Sequence, residues 1–178
     1  MDTLKILSEK EAQLLRMVVA QTGTMEEKVG SLEGLGVFDA YQEILRAYLA
    51  LIAEPAVGVE ALKRAVFLAW YGSVEPSCFS GLRVPKGYRE AAFHALGRAF
   101  EEGTADSELR WMVSWYHRIA DFLFPNLEPY PHLRAHLADV GTGVDELPEE
   151  VRCGLGERGQ MSDYWLSITD AKVSRSKW

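Results

Sequence analysis

The chain has 178 residues, 48% hydrophobic and 25% charged, which is enough for one sizeable core without a second domain. Its formal net charge of -7 and pI near 5.2 argue against a binder of phosphate backbones, whose affinity rests on clustered Lys and Arg, and favour a basic protein surface or a small ligand. The longest apolar run, residues 65 to 74, is about half of what a bilayer demands, and the N-terminus has no sustained apolar stretch of a secretory signal, so the expected location is cytoplasmic with no membrane contact.

In chain order, Ser8 followed by Glu11 has capping-box spacing. Leu14, Leu15, Val18 and Val19 behind it predict a helix over 8–21, ended by Thr22-Gly23. A glycine-dotted acidic stretch over 24–36 leads to a second helix, where Phe38, Tyr41, Leu45, Tyr48 and Ile52 recur at three- and four-residue steps. Pro55 and Gly58 stop it. A third helix over 59–74 turns Glu60, Lys63 and Arg64 to water in its first turns and is apolar all round from Ala65, until Pro76 ends it. The segment 76–88 holds two prolines and two glycines and reads as a loop. A fourth helix over 88–102 carries Ala92, Phe93, Leu96 and Phe100 inward, and Gly103 closes it.

The densest apolar periodicity runs from Asp106, a capping residue, to Phe124. Leu109, Met112, Val113, Tyr116, Ile119, Ala120 and Leu123 share one broad face, widened by Trp111, Trp115 and Phe122. Prolines at 125, 129 and 131 then break the chain, and a short helix follows over 131–139. Between residues 139 and 163 seven acidic residues stand against Arg152 and Arg158, with five glycines among them. Trp165, Leu166 and Ile168 predict a last short helix, and residues 171–178 a flexible tail. The pattern as a whole predicts a single all-α domain over 1–178: six or seven helices around a central helix near 106–124, with an acidic C-terminal layer over 139–163.

Several constellations carry chemistry in principle. Arg110, Ser114, His117, Arg118 and Asp121 form a polar strip on the central helix that can line a ligand cleft or simply face solvent. Glu75 closes an apolar helix half and needs a cation or donors, with Arg110 and His117 as suppliers. His132 and His136 lie one turn apart with Asp139 close by, a spacing that suits one divalent metal, although HLRAH lacks the glutamate of a metallohydrolase motif. Gly154 to Gly159 matches G-x-G-x-x-G outside any strand-turn-helix context and reads as a glycine-rich helix end. Cys78 and Cys153 are expected as free thiols, and Arg83, Lys86 and Arg89 as a solvated basic cluster. Asp145, Glu146, Glu149 and Glu150 crowd the start of a helix beyond what capping needs, which makes them the expected contact for a basic partner. The functional expectation is a non-catalytic acidic protein that binds a protein partner, in the manner of an immunity or antitoxin-like inhibitor, with no cofactor and no nucleic acid. The alternative is a metal-dependent or ligand-binding helical enzyme built on His132, His136 and the polar strip.

Overall fold

The computed structural model describes residues 3–124, 127–139 and 158–175, with side chains to residue 168 in the last segment. The described residues form an all-α bundle without strands: α1 (Thr3–Val19), α2 (Met25–Gly34), α3 (Val37–Leu51), α4 (Gly58–Val74), α5 (Ser77–Ser80), α6 (Lys86–Glu101), α7 (Ser107–Ile119), a 3-10 turn (Asp121–Leu123), α8 (Pro131–Ala138) and α9 (Gln160–Arg175). None of these helices is long and apolar enough to cross a membrane.

The helix enclosed on all sides is α4. Every residue from Ala61 to Trp70 is buried, with α3 and α6 packed along it and α9 touching it as well. The expected central helix is instead an amphipathic one: Leu109, Met112, Val113, Ser114 and Tyr116 are buried, Trp111 and Trp115 are half-buried, and Ile119 is exposed. Asp106 caps α7 as predicted, accepting from the Leu109 amide at 2.8 Å. The helix ends at Ile119 because Ala120 leaves helical geometry (φ -150°, ψ 66°), and the following turn leaves Phe122 75% exposed.

Two short helices raise the count above six or seven, to nine α-helices among the described residues. The acidic stretch after Gly23 folds as α2 because Thr24 and Glu27 make a reciprocal capping box: Thr24 Oγ1 accepts from the Glu27 amide, and Glu27 Oε2 accepts from the Thr24 amide at 2.7 Å. The loop after Pro76 contains the single turn α5, closed by Gly81 at φ 71°. Gly81 also lies against α1 and α3, where an added Cβ would stand 2.6 Å from Val18 and 3.0 Å from Tyr41.

The first helix corrects the sequence reading. It starts at Thr3, five residues before Ser8, because Leu4 and Leu7 already belong to the core. Ser8 and Glu11 therefore sit inside the helix on its buried face, and neither caps it. The last helix runs to Arg175, five residues into the segment expected to fray.

Candidate functional site

The polar strip of α7 divides between separate neighbourhoods. Arg110 turns back on its own helix start, donating from Nε to the Ala105 carbonyl at 3.0 Å, with its guanidinium over the Phe100 ring. Ser114 is buried, and its hydroxyl donates to the Arg110 carbonyl at 2.9 Å while lying 2.9 Å from His136 Nε2. His117 packs edge-on against Phe124, whereas Arg118 is exposed and lies over the Trp115 ring, and Asp121 is exposed. Glu75 caps the C-terminus of α4 and makes no hydrogen bond or ion pair with Arg110 or His117. Its charge bears on Tyr71 and Tyr164 instead. The six residues do not assemble into one cleft.

The helical step that suggested a metal is present, since His132 and His136 both lie on α8. The two rings have different employment. His136 Nε2 sits between Ser114 Oγ and the Arg110 carbonyl, at 2.9 and 3.0 Å, so the ring ties α8 to α7. His132 Nδ1 lies 3.1 Å from Glu101, and Glu101 also accepts from the His132 amide at 2.8 Å. These two histidines, Asp139 and Arg110 border an open depression over α6 and α8. Among the described residues no group of three His, Cys, Asp or Glu side chains is arranged to hold a metal ion.

What the structure does assemble is a chain of charges that sequence reasoning missed. Lys63 and Arg64, expected to face water, are buried at 5% and 6% exposure. Lys63 Nζ is paired with Asp106 at 2.6 Å and with Glu108 at 2.5 Å. Glu108 also takes the Arg158 guanidinium on both oxygens, and Arg158 reaches Glu60 at 2.8 Å. Glu60 in turn accepts from Arg64 Nε at 2.8 Å. Arg64 Nη1 then donates to the Leu4 carbonyl at 3.2 Å and to the hydroxyls of Ser8 and Tyr48. Tyr48 donates to Glu11 Oε1 at 2.5 Å. One connected network thus joins α1, α3, α4, α7 and the start of α9. Ion pairs this sheltered stand only when each charge is matched and its remaining hydrogen-bonding positions are filled. Burial pushes the Glu108 carboxyl up, but hydrogen bonds and charge from Arg158 and Lys63 outweigh it and hold the group below its ordinary value.

Glu11 closes the chain at its far end. It is 1% exposed, and burial pushes its carboxyl up to about 7, against the lowering effects of Tyr48, the Gln160 amide and Arg64. Its Oε2 accepts the Gln160 amide at 3.0 Å, so it occupies the N-terminus of α9, and a Cβ on Gly159 would stand 2.5 Å from that oxygen. This bears on the glycine motif. Residues 154–157 lie outside the described residues, but Gly159 and Gln160 present their helix end to a protein carboxylate, where a nucleotide-binding turn presents it to phosphate. Cys78 is buried, and the Arg83 and Lys86 charges are drawn off to Glu33 and Glu90, at 3.3 and 3.6 Å. Cys153 and the partner-contact candidates Asp145, Glu146, Glu149 and Glu150 lie outside the described residues.

Comparison with known protein families, with curated proteins and with solved structures finds no match for the chain.

Proposed function

We propose that this chain is a non-catalytic acidic helical protein that binds a protein partner with a basic surface, as an immunity or antitoxin-like inhibitor does. The observation that carries the reading concerns Arg158. Only Arg152 and Arg158 offset the seven acidic residues between 139 and 163, and Arg158 is committed to Glu60 and Glu108. Half of the segment's own positive charge therefore serves the interior, and by sequence its acidic residues far outnumber the cation that remains. The charges within the bundle support the same reading, because Glu60, Lys63, Arg64, Asp106 and Glu108 are matched to one another rather than directed at an open cleft.

The test compares the wild-type chain with the quadruple variant D145N/E146Q/E149Q/E150Q, each immobilised and exposed to lysate of the source cells at low and moderate salt. A basic protein retained by the wild type at low salt and lost by the variant is the expected result. With that protein in hand, the variant's association rate should fall by about tenfold and lose most of its salt dependence, because exposed charges act mainly on encounter. Equal retention by both chains at both salt concentrations would reject the acidic segment as a recognition surface.

A further inference from the structure

A half-open cavity of about 210 Å³ lies between α6, Phe124 and the described residues from Leu127 into α8, away from the charge chain. Its floor is apolar. Phe93 and Phe124 meet edge to face with centroids 5.0 Å apart, Leu133 lies beneath, and Leu127, Pro129 and Tyr130 make the wall. The wall is fixed by a glycine: the Tyr130 ring lies so close over α6 that a Cβ at Gly97 would stand 2.5 Å from two of its ring carbons. The Tyr130 hydroxyl is 2.7 Å from His94 Nδ1, which holds the imidazole at the mouth and leaves Nε2 as its unbonded nitrogen. Beside it, one turn earlier on α6, is Glu90. Among the described residues that line the cavity there is no lysine or arginine, and Glu90 is the formally charged side chain. Among the described residues its ion-pair partner is Lys86, in a loose contact at 3.6 Å between exposed groups that competes weakly with a better-placed cation.

An apolar chamber of this size exceeds the roughly 150 Å³ that accommodates a benzene ring, and aromatic faces beside a carboxylate favour a ring that carries a positive charge on a short arm. We propose that the cavity binds a small arylalkyl ammonium ion, with the ring on Phe93 and Phe124 and the ammonium at Glu90. None of the described residues that line the cavity is a partner-contact candidate. Its polar pair is not evident in sequence, because Tyr130 and His94 are 36 residues apart and meet where the Tyr130 ring lies over Gly97.

Titration of the full chain with three probes that share a phenethyl frame, followed by NMR of the His94 and Tyr130 ring signals, tests the proposal. Phenethylamine should bind saturably with a Kd of about 1 mM or tighter, a modest value that suits a nine-atom ligand in an open site. The neutral 2-phenylethanol should bind about tenfold more weakly, and 3-phenylpropanoate more weakly still. Glu90 is exposed, so Glu90→Gln keeps the fold and should reduce phenethylamine to the level of the alcohol. The proposal is overturned if the amine causes no saturable shift of these two rings at about 10 mM, if amine and alcohol bind alike, or if Glu90→Gln leaves the amine's affinity unchanged.

Discussion

Glu11 shows what one buried carboxylate does to this fold. Its oxygens take the Tyr48 hydroxyl and the Gln160 amide, so α1, α3 and α9 meet at a single side chain. The groups facing it are Tyr48 and Tyr41 from α3, Arg64 from α4 and Asp163 from α9, and burial dominates them all in raising its carboxyl to about 7. A carboxyl whose pKa is higher folded than unfolded binds more protons in the folded state. Its contribution is therefore fully present below about 4.5 and is lost as pH rises through about 7. At about 1.4 kcal/mol per pKa unit the span is on the order of 3 kcal/mol. Urea melts between pH 5 and 8 should show stability falling with pH, and Glu11→Gln should flatten that slope; an unchanged slope would mean that another group titrates. Glu108 works in the opposite sense. Its carboxyl is held low, so its contribution is lost as pH falls below the ordinary carboxylate range. Replacing Arg158 with Met removes the cation that both Glu108 and Glu60 share, although Lys63 and Arg64 still face them. Because these groups are mostly sheltered, the loss should be about 2 kcal/mol in a urea melt, well above the about 0.5 kcal/mol of a surface change.

Helices α4, α7 and α9 are joined by aromatic rings. Trp70 of α4 stacks on Tyr116 of α7 at 4.4 Å, and Trp165 of α9 lies 5.8 Å from Tyr116 and 4.7 Å from Trp111. Trp115 donates its indole N–H to the Tyr164 hydroxyl at 3.0 Å. Trp165 is 1% exposed, whereas Trp111 and Trp115 are half-buried. Trp165→Ala should accordingly cost about 3 to 5 kcal/mol in a chemical melt, and Trp111→Ala and Trp115→Ala measurably less. The reverse order would place the rigid core on α7. The same elements show how far the sequence could be read. Periodicity located α3, α4, α6, α7 and α8, and the Asp106 cap was visible because capping is a local interaction between residues three apart. A capping signature is still ambiguous by itself. Thr24 and Glu27 form a true box, while Ser8 and Glu11, with the same spacing, face Arg64 and Tyr48 from the middle of a helix. The burial of Lys63 and Arg64 was not legible for the same reason, since their partners Asp106, Glu108, Ser8 and Tyr48 lie 16 to 56 residues away. Of the site residues read from sequence, Ser114 and His136 do come together, but as a bond between helices.

At the scale of the whole molecule, α9 is where the charge chain and the aromatic seam converge. Arg158 enters the chain one residue before Gly159, the Gln160 amide closes it at Glu11, and Met161 and Trp165 enter the core within the next turn and a half. Gln160 adds a hydrogen bond from its side-chain amide to the Ser80 carbonyl at 2.8 Å, which ties α9 to α5. Removing residues 158–178 would therefore uncover Trp70, Tyr116 and Trp111, strip Glu11 of its amide donor, and leave Glu60 and Glu108 without Arg158. Buried carboxylates and apolar rings exposed together cannot be compensated by local repacking. The chain ending at residue 157 should lose its cooperative thermal transition and bind a hydrophobic dye, the signature of a collapsed state without fixed packing. A chain ending at residue 170 keeps Arg158, Gly159, Gln160, Met161 and Trp165, and should melt cooperatively within a few degrees of the full chain. If the chain ending at residue 170 also loses cooperativity, the last turns of α9 carry packing of their own. If the chain ending at residue 157 melts normally, α9 is an appendage rather than part of the core.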